Sequence, residues 1–318
     1  MRASASASEL SRDALWRRLR EHGTQRRAHL SERVTYVLGD ARQWLAAAPA
    51  CSIHAVVTDP PDGVIEYDAH NQRKLRAGRG GVWRIPPAFD GARRMPLPRF
   101  TVLTPAQIEA LHEFFGELAA ALRRVLVPGG HVFLASNPLL SSVTFHAMQR
   151  AGLEKRGEIM RLVQTLRGGD RPKGAEREFA HVSMMARSCF EPWGVFRKPL
   201  EGTGAHNLRT WGTGGLRRVS PTEPFKDVIS CAPTRARERR IAPHPSLKPQ
   251  HFLRRLVSAA LPLGAGIIYD PFAGSGSTLA AAEAMGCTAL GTERDPTYFA
   301  MGCKAFAGLA AVRVRSAG

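Results

Sequence analysis

The apolar positions along the chain fall into short β-branched runs that alternate with stretches of helical spacing. "RVTYVLGDARQWLAAAP" (33–49) predicts a strand, a turn at Gly39-Asp40 and a helix, with Asp40 as its cap. "SIHAVVTD" (52–59) is apolar and β-branched, as a strand buried on both faces should be. Ile108, Leu111, Phe115, Leu118, Leu122 and Val125 recur at spacings of three and four and predict a helix, which Pro128-Gly129-Gly130 should stop. "HVFLAS" (131–136) predicts a strand, and "SSVTFHAMQRAGL" (141–153) a helix ending at Gly152. Late in the chain come a helix in "PQHFLRRLVSAAL" (249–261), a strand in "GIIYD" (266–270), and a glycine turn from Phe272 to Gly276. "STLAAAEAMG" (277–286) is the next helix, "CTALGTE" (287–293) a strand and "DPTYFAMGCKAFAGLA" (295–310) the last helix. Strands alternating with helices predict an α/β fold, a doubly wound and mostly parallel sheet.

Two segments break the alternation. Residues 63–104 and about 155–240 lose clear periodicity, are too long for ordinary connections, and are expected to be functional insertions. The N-terminal stretch predicts a short basic amphipathic helix, with Leu10, Leu15 and Leu19 near one face; Glu9, Asp13 and Glu21 argue against a transit peptide. The expected organisation is a basic N-terminal arm (1–30), a first half-domain (31–150) with a loop at 63–104, an insertion (151–240) and a second half-domain (241–318).

Charge changes the picture. Lys and Arg number 45 against 27 Asp and Glu, a net charge of +18. An excess of this size favours a polyanionic partner, although a solubility adaptation would also produce it. The insertions carry much of it: 71–100 has a net charge of +7 and 151–240 of +8. The five cysteines form no C-x-x-C pair, so a zinc ribbon or disulfide framework is not expected, and a reducing cytoplasm fits. No apolar run is long enough to span a membrane.

Two turns carry candidate chemistry. In "IIYDPFAGSGSTL" (267–279), a strand ends at Asp270 and runs through glycines into a helix, so a ligand can approach the backbone and meet free N–H groups. No Gly-Lys-Ser/Thr follows, and Leu279 stands where a dinucleotide fingerprint wants its third glycine. The turn suits an adenosine-bearing ligand without a pyrophosphate. One strand later Glu293 ends "ALGTE", placed to accept both hydroxyls of a ribose. The other turn is "TDPPDG" (58–63), in which a strand runs into Asp59 and a rigid double proline.

These motifs resemble those of the β-class amino-methyltransferases that act on DNA. "DPFAGSGST" followed by a strand ending in Glu is similar to their S-adenosylmethionine motif, "TDPPDG" to their catalytic D-P-P-Y motif, and "HPSLKP" (244–249) to their H-P-x-x-K-P segment. The order, catalytic motif first, is that of the β class. The resemblance implies the Rossmann-like methyltransferase fold. It implies S-adenosylmethionine across Phe272, Gly274 and Gly276 with Glu293 on its ribose, and Asp40, Lys248, Asp270 and Thr278 lining or supporting the pocket. Asp59 and the Pro60 carbonyl, held rigid by Pro61, would accept from the exocyclic amine of a flipped base, making its nitrogen more nucleophilic. Asp at the first motif position leans toward adenine N6 over cytosine N4.

Asp62 departs from the pattern, since the family has an aromatic residue there for the base to stack on. Three readings stay open: lost or weakened activity, replacement of the ring by Tyr67 or Trp83, and a different amine acceptor. Expected DNA contacts are Arg73, Lys74, Arg76, Arg79, Trp83 and Arg84 in the first insertion and Arg217 and Arg218 in the second. The expected partner is double-stranded DNA; a homodimer and a separate restriction enzyme stay open. A catalytically silent DNA-binding protein of the same fold is the alternative, and RNA or a protein amide a third substrate class.

Overall fold

The computed structural model describes residues 7–61, 104–163, 169, 171–244 and 246–314. The element order is α1 (Ala7–Arg20), β1 (Arg26–His29), β2 (Val34–Leu38), α2 (Ala41–Ala47), β3 (Ile53–Thr58), α3 (Pro105–Val125), β4 (Leu126–Ala135), α4 (Ser141–Arg150), β5 (Glu154–Leu162) and β6 (Phe190–Arg197). There follow α5 (Gly204–Trp211), β7 (Val228–Ser230), α6 (Ala236–Ile241), α7 (Gln250–Ala260), β8 (Ile267–Asp270), α8 (Ser277–Ala284), β9 (Thr288–Glu293) and α9 (Pro296–Ala310).

The described strands form one sheet in the order β1-β2-β9-β8-β3-β4-β6-β5-β7. The five central strands, β2, β9, β8, β3 and β4, are parallel. β1 and β6 run against their neighbours β2 and β4. Alternation along the strands serves two cores. Ala55, Val57 and Ile268 face Phe252, Leu256 and Leu279 of α7 and α8. Val56, Val132 and Leu290 face Trp44, Phe115 and Leu118 of α2 and α3. The chain leaves β8 toward β9 over one face and β3 toward β4 over the other, so the connections diverge between β8 and β3. In doubly wound sheets such a point opens a crevice beyond the strands' carboxyl ends. No described helix is long and apolar enough to cross a membrane.

The strands and helices expected on both sides of the insertions form, with three differences. The helix over 105–125 passes directly into β4, and Pro128-Gly129-Gly130 lies within that strand instead of between two elements. The excess residues are absorbed as an irregularity in which Ile53 pairs with Leu126 but Ala55 with His131, made possible by Gly129 at φ +75°. Second, the polar stretch Arg26–His29 is an edge strand, paired with β2. Third, the expected irregular segment 155–240 contributes β5, β6 and β7 to the main sheet. β5 hides its periodicity because it buries a charged residue, Arg161, against Glu191 of β6. β6 hides its own because Pro192 and Gly194 interrupt the apolar run.

Candidate active site

The carboxyl ends of the five central strands open on one cavity of about 950 Å³. β2 contributes Gly39 and Asp40, β3 Asp59 and Pro60, β4 Ser136 and Asn137, β8 Asp270 and Phe272, and β9 Glu293. Each follows a buried strand that fixes where it emerges.

One end of the cavity is the glycine turn. Gly274 and Gly276 sit at φ +52° and +76°, where an L side chain is strained. A Cβ on Gly274 would stand 3.1 Å from His244 Nε2, so the glycine keeps this wall open. Gly302 of α9 lets the turn close against the helix: a Cβ there would lie 2.7 Å from Tyr36 and 3.2 Å from the Gly274 carbonyl. Tyr36 is buried and donates to that same carbonyl. Glu293 accepts from the Gly274 amide at 2.9 Å and from the Asp295 amide at 2.7 Å, one bond per carboxylate oxygen. Each oxygen keeps a lone pair for a ligand hydroxyl. Burial raises the Glu293 carboxyl above its ordinary value.

Asp270 joins the two halves of the chain. Its Oδ1 accepts from Thr58 Oγ1 at 2.7 Å, one residue before Asp59, and from the Phe272 amide at 3.1 Å. Burial, with a smaller push from Asp59, raises it to about 6 against the hydrogen bonds of Thr58, Thr278 and the Phe272 amide. Phe272 and Phe114 of α3 lie 6.1 Å apart between ring centroids, and the Arg42 guanidinium stands 6.0 Å over Phe114. Asp40 caps α2 by accepting from the Arg42 amide at 2.8 Å.

The other end is Asp59 with Pro60 and Pro61. Lys248 donates to Asp59 Oδ2 at 2.6 Å and lies 3.1 Å from Glu191 Oε1. Glu191 Oε2 accepts from Arg161 at 2.9 Å and Trp193 Nε1 at 3.0 Å. Burial pushes the Glu191 carboxyl up, but the Lys248 and Arg161 charges outweigh it and hold it at about 2. Burial likewise works against the Lys248 charge, and Asp59 and Glu191 overcome it, so its pKa is raised. His244 is held neutral, at about 4, by burial and by the Lys248 charge.

The structure thus brings Asp40, Asp59, Pro60, Pro61, Lys248, Asp270, Phe272, Gly274, Thr278 and Glu293 around one cavity, with Gly276 capping α8 beside it. Lys248, expected to line or support the pocket, lines it and directs its ammonium to Asp59 and Glu191. Arg217 and Arg218 are not brought there. The Arg217 amide bonds the Ala259 carbonyl and its guanidinium lies beside Gly264, ahead of β8, at the opposite end of the strands. Asp62, Tyr67, Arg73, Lys74, Arg76, Arg79, Trp83 and Arg84 lie outside the described residues. Sequence reasoning missed Glu191, Arg161 and Trp193. Its one usable signal was a Glu and a Trp flanking Pro192 in an otherwise apolar stretch.

Comparison with known proteins bears on the fold and on residues 189–304. Residues 189–304 match the family model described as DNA methylase. The type II methyltransferase M2.DpnII of Streptococcus pneumoniae is 23% identical over 196 residues, 61% of this chain and 66%, just under two thirds, of that relative. A DNA modification methylase of Thermus thermophilus, solved with S-adenosyl-L-methionine, shares the fold at a TM-score of 0.56 and 22% identity, covering 88% of this chain and 95% of its own. The cytosine-N4-specific PvuII DNA methyltransferase does so at 0.59 and 13% identity, covering 90% of both chains. Residues 189–304, which hold Glu191, Lys248, the glycine turn and Glu293, are thus similar to the DNA methylase family, and the chain as a whole shares the fold of the solved methyltransferases.

Proposed function

We propose that the chain transfers a methyl group from S-adenosylmethionine to the exocyclic amine of a base in double-stranded DNA, with adenine N6 favoured over cytosine N4. One observation carries the reading: Asp59-Pro60 and the Asp270–Glu293 cradle share a single cavity, tied by the 2.7 Å bond from Thr58 to Asp270. The cradle fits the donor, with glycines where its backbone-hugging chain would pass and spare Glu293 lone pairs for a ribose. S-adenosylmethionine supplies an electrophilic methyl on a sulfonium.

The rest is the work of the protein. Asp59 and the Pro60 carbonyl accept the two amine hydrogens, which turns the nitrogen lone pair out of conjugation toward the methyl. A nitrogen–carbon bond forms as the sulfur–carbon bond breaks, and the proton shed by the methylated nitrogen has the Asp59 carboxylate beside it. A paired base cannot reach these groups, so the target leaves the stack. The lean to adenine rests on Asp59 as the first motif residue. The chain acts where DNA is, in the cytoplasm of a bacterial or phage-infected cell.

Asp62 keeps a second reading in play, that of a silent DNA-binding protein, because a carboxylate cannot give the roughly 1–3 kcal/mol that stacking on an aromatic ring provides. The test is incubation with methyl-labelled S-adenosylmethionine and unmethylated genomic DNA, beside Asp62→Tyr, followed by digestion to nucleosides. Label in N6-methyladenine is expected, stronger with Asp62→Tyr. Label in N4-methylcytosine would overturn the base preference, and no label from either protein would overturn the activity.

A further inference from the structure

Lys248 is held between two carboxylates. Its ammonium lies 2.6 Å from Asp59 Oδ2 and 3.1 Å from Glu191 Oε1. The second carboxylate is fixed from behind: Arg161 and Trp193 share its Oε2, which leaves Oε1 aimed at Lys248. Arg161 is itself buried and lies over the Phe252 ring. Two acids and two bases make the cluster neutral. Glu191 lines the cavity beside Lys248, while Arg161 on β5 and Trp193 on β6 hold it from the side away from that lysine.

The ammonium in this structure takes from Asp59 the kind of hydrogen bond that an arriving base amine would need. Displacing a buried ammonium without a second acceptor is costly, because a buried charge must be paired. We propose that Glu191 is a positioning residue that gives the Lys248 ammonium a second seat, so that Asp59 is released when a base amine arrives. The inference rests on the reading of the substrate as a base amine. Lys248 is the moving part, and Glu191 with Arg161 and Trp193 is the fixed receiver.

A pH signature separates this role from a scaffolding one. The charged groups facing Lys248 are Asp59 at the end of β3, Glu191 on β6 and Arg161 on β5, with His244 in its own segment. In Glu191→Gln, burial and Arg161 press the proton off Lys248 and only Asp59 opposes them. A neutral amine needs no second seat. The variant is therefore expected to lose about tenfold or more in kcat/KM near pH 7. It should regain part of this as pH is raised, because its lysine, no longer held by Glu191, gives up its proton at a lower pH than the wild-type lysine, whose pKa the two carboxylates raise.

The experiment measures methyl transfer to DNA for wild type, Glu191→Gln, Lys248→Met and the double variant, with S-adenosylmethionine affinity as the check on folding. The expected result is that Glu191→Gln matters far less in the Lys248→Met background, since no ammonium remains to be seated. Equal losses in both backgrounds, or a pH profile parallel to wild type, would overturn the proposal. Should Glu191→Gln fail to bind the cofactor, the charge-balanced double variant compared with Lys248→Met reads the same point. A wild-type chain that methylates no DNA would remove the substrate reading instead. The charge coupling is then read without substrate by NMR of 13C-labelled lysine: the Lys248 midpoint falls in Glu191→Gln if Glu191 holds its charge, and stays if it does not.

Discussion

Asp270 shows how a buried residue of the cavity wall acts on stability. Its carboxyl is buried and raised to about 6. A carboxyl whose folded value lies above its unfolded one contributes stability that is fully present below the unfolded value and is lost as pH rises through the folded one. The ligand-free protein should therefore lose stability between about pH 4 and 7, as Asp270 is forced to ionise in the core. Asp270→Asn keeps an acceptor for Thr58 and the Phe272 amide and removes the charge. It is expected to stabilise the protein at pH 8 by on the order of 1–2 kcal/mol, seen as a higher melting temperature, and to narrow the difference between pH 5 and 8. Thermal melts at both pH values check this; equal shifts at the two would count against it. At the same scale, Glu293→Gln keeps the shape of the cradle and removes the charge that the proposed contact with ribose hydroxyls would use. Its expected cost is about tenfold in S-adenosylmethionine affinity, near the 1.5 kcal/mol of a hydrogen bond to a charged group, read by calorimetry.

Among elements, the meeting of the glycine turn with α9 is the most exacting. Gly302 lies where a Cβ would be 2.7 Å from the Tyr36 ring and 3.2 Å from turn backbone. Gly302→Ala improves helix propensity by nearly 1 kcal/mol on its own. The clash should outweigh that, giving net destabilisation of about 1–3 kcal/mol and weaker cofactor binding, because the turn must move away from the helix. Chemical denaturation and ligand titration measure the two effects. This contact also marks the limit of what the sequence discloses. β3 and β8 were legible as short apolar runs with β-branched residues, buried on both faces, and β9 as a short uncharged run ending in an acid, and the turns after them because glycine, proline and acid residues punctuate the chain. β5 and β6 were not, because Arg161 and Glu191 neutralise each other across the sheet and so replace the apolar residues a buried strand normally shows. The same pairing hid the support of Lys248. A motif discloses residues that are near in sequence. Lys248 and Asp59 are 189 positions apart, and only the fold joins them.

At the scale of the whole molecule, a net charge of +18 predicts association with a polyanion without saying where. Placement narrows it. Arg217 is at the far end of the strands from the cavity. The short helix α6 presents Arg237 and Arg240 to solvent while Glu238 turns inward, and it leads through Ala242 to His244 on the cavity wall. DNA whose base enters the cavity would pass nearer to α6 than to Arg217. Neutralising a phosphate contact lowers the dependence of log K on log salt by about 0.9 per contact. Arg237→Gln with Arg240→Gln should therefore weaken DNA binding, uniformly across sequences, and flatten the salt slope by about 1–2, whereas Arg217→Gln should leave slope and affinity near wild type. Neither change touches the cofactor cradle, so S-adenosylmethionine affinity should hold in both. Fluorescence anisotropy with a labelled duplex from low to moderate salt measures the slopes. Equal slopes for wild type and the α6 variant would place the phosphate contacts elsewhere on the basic surface, and a flattened slope for Arg217→Gln would run the DNA across the opposite end of the sheet.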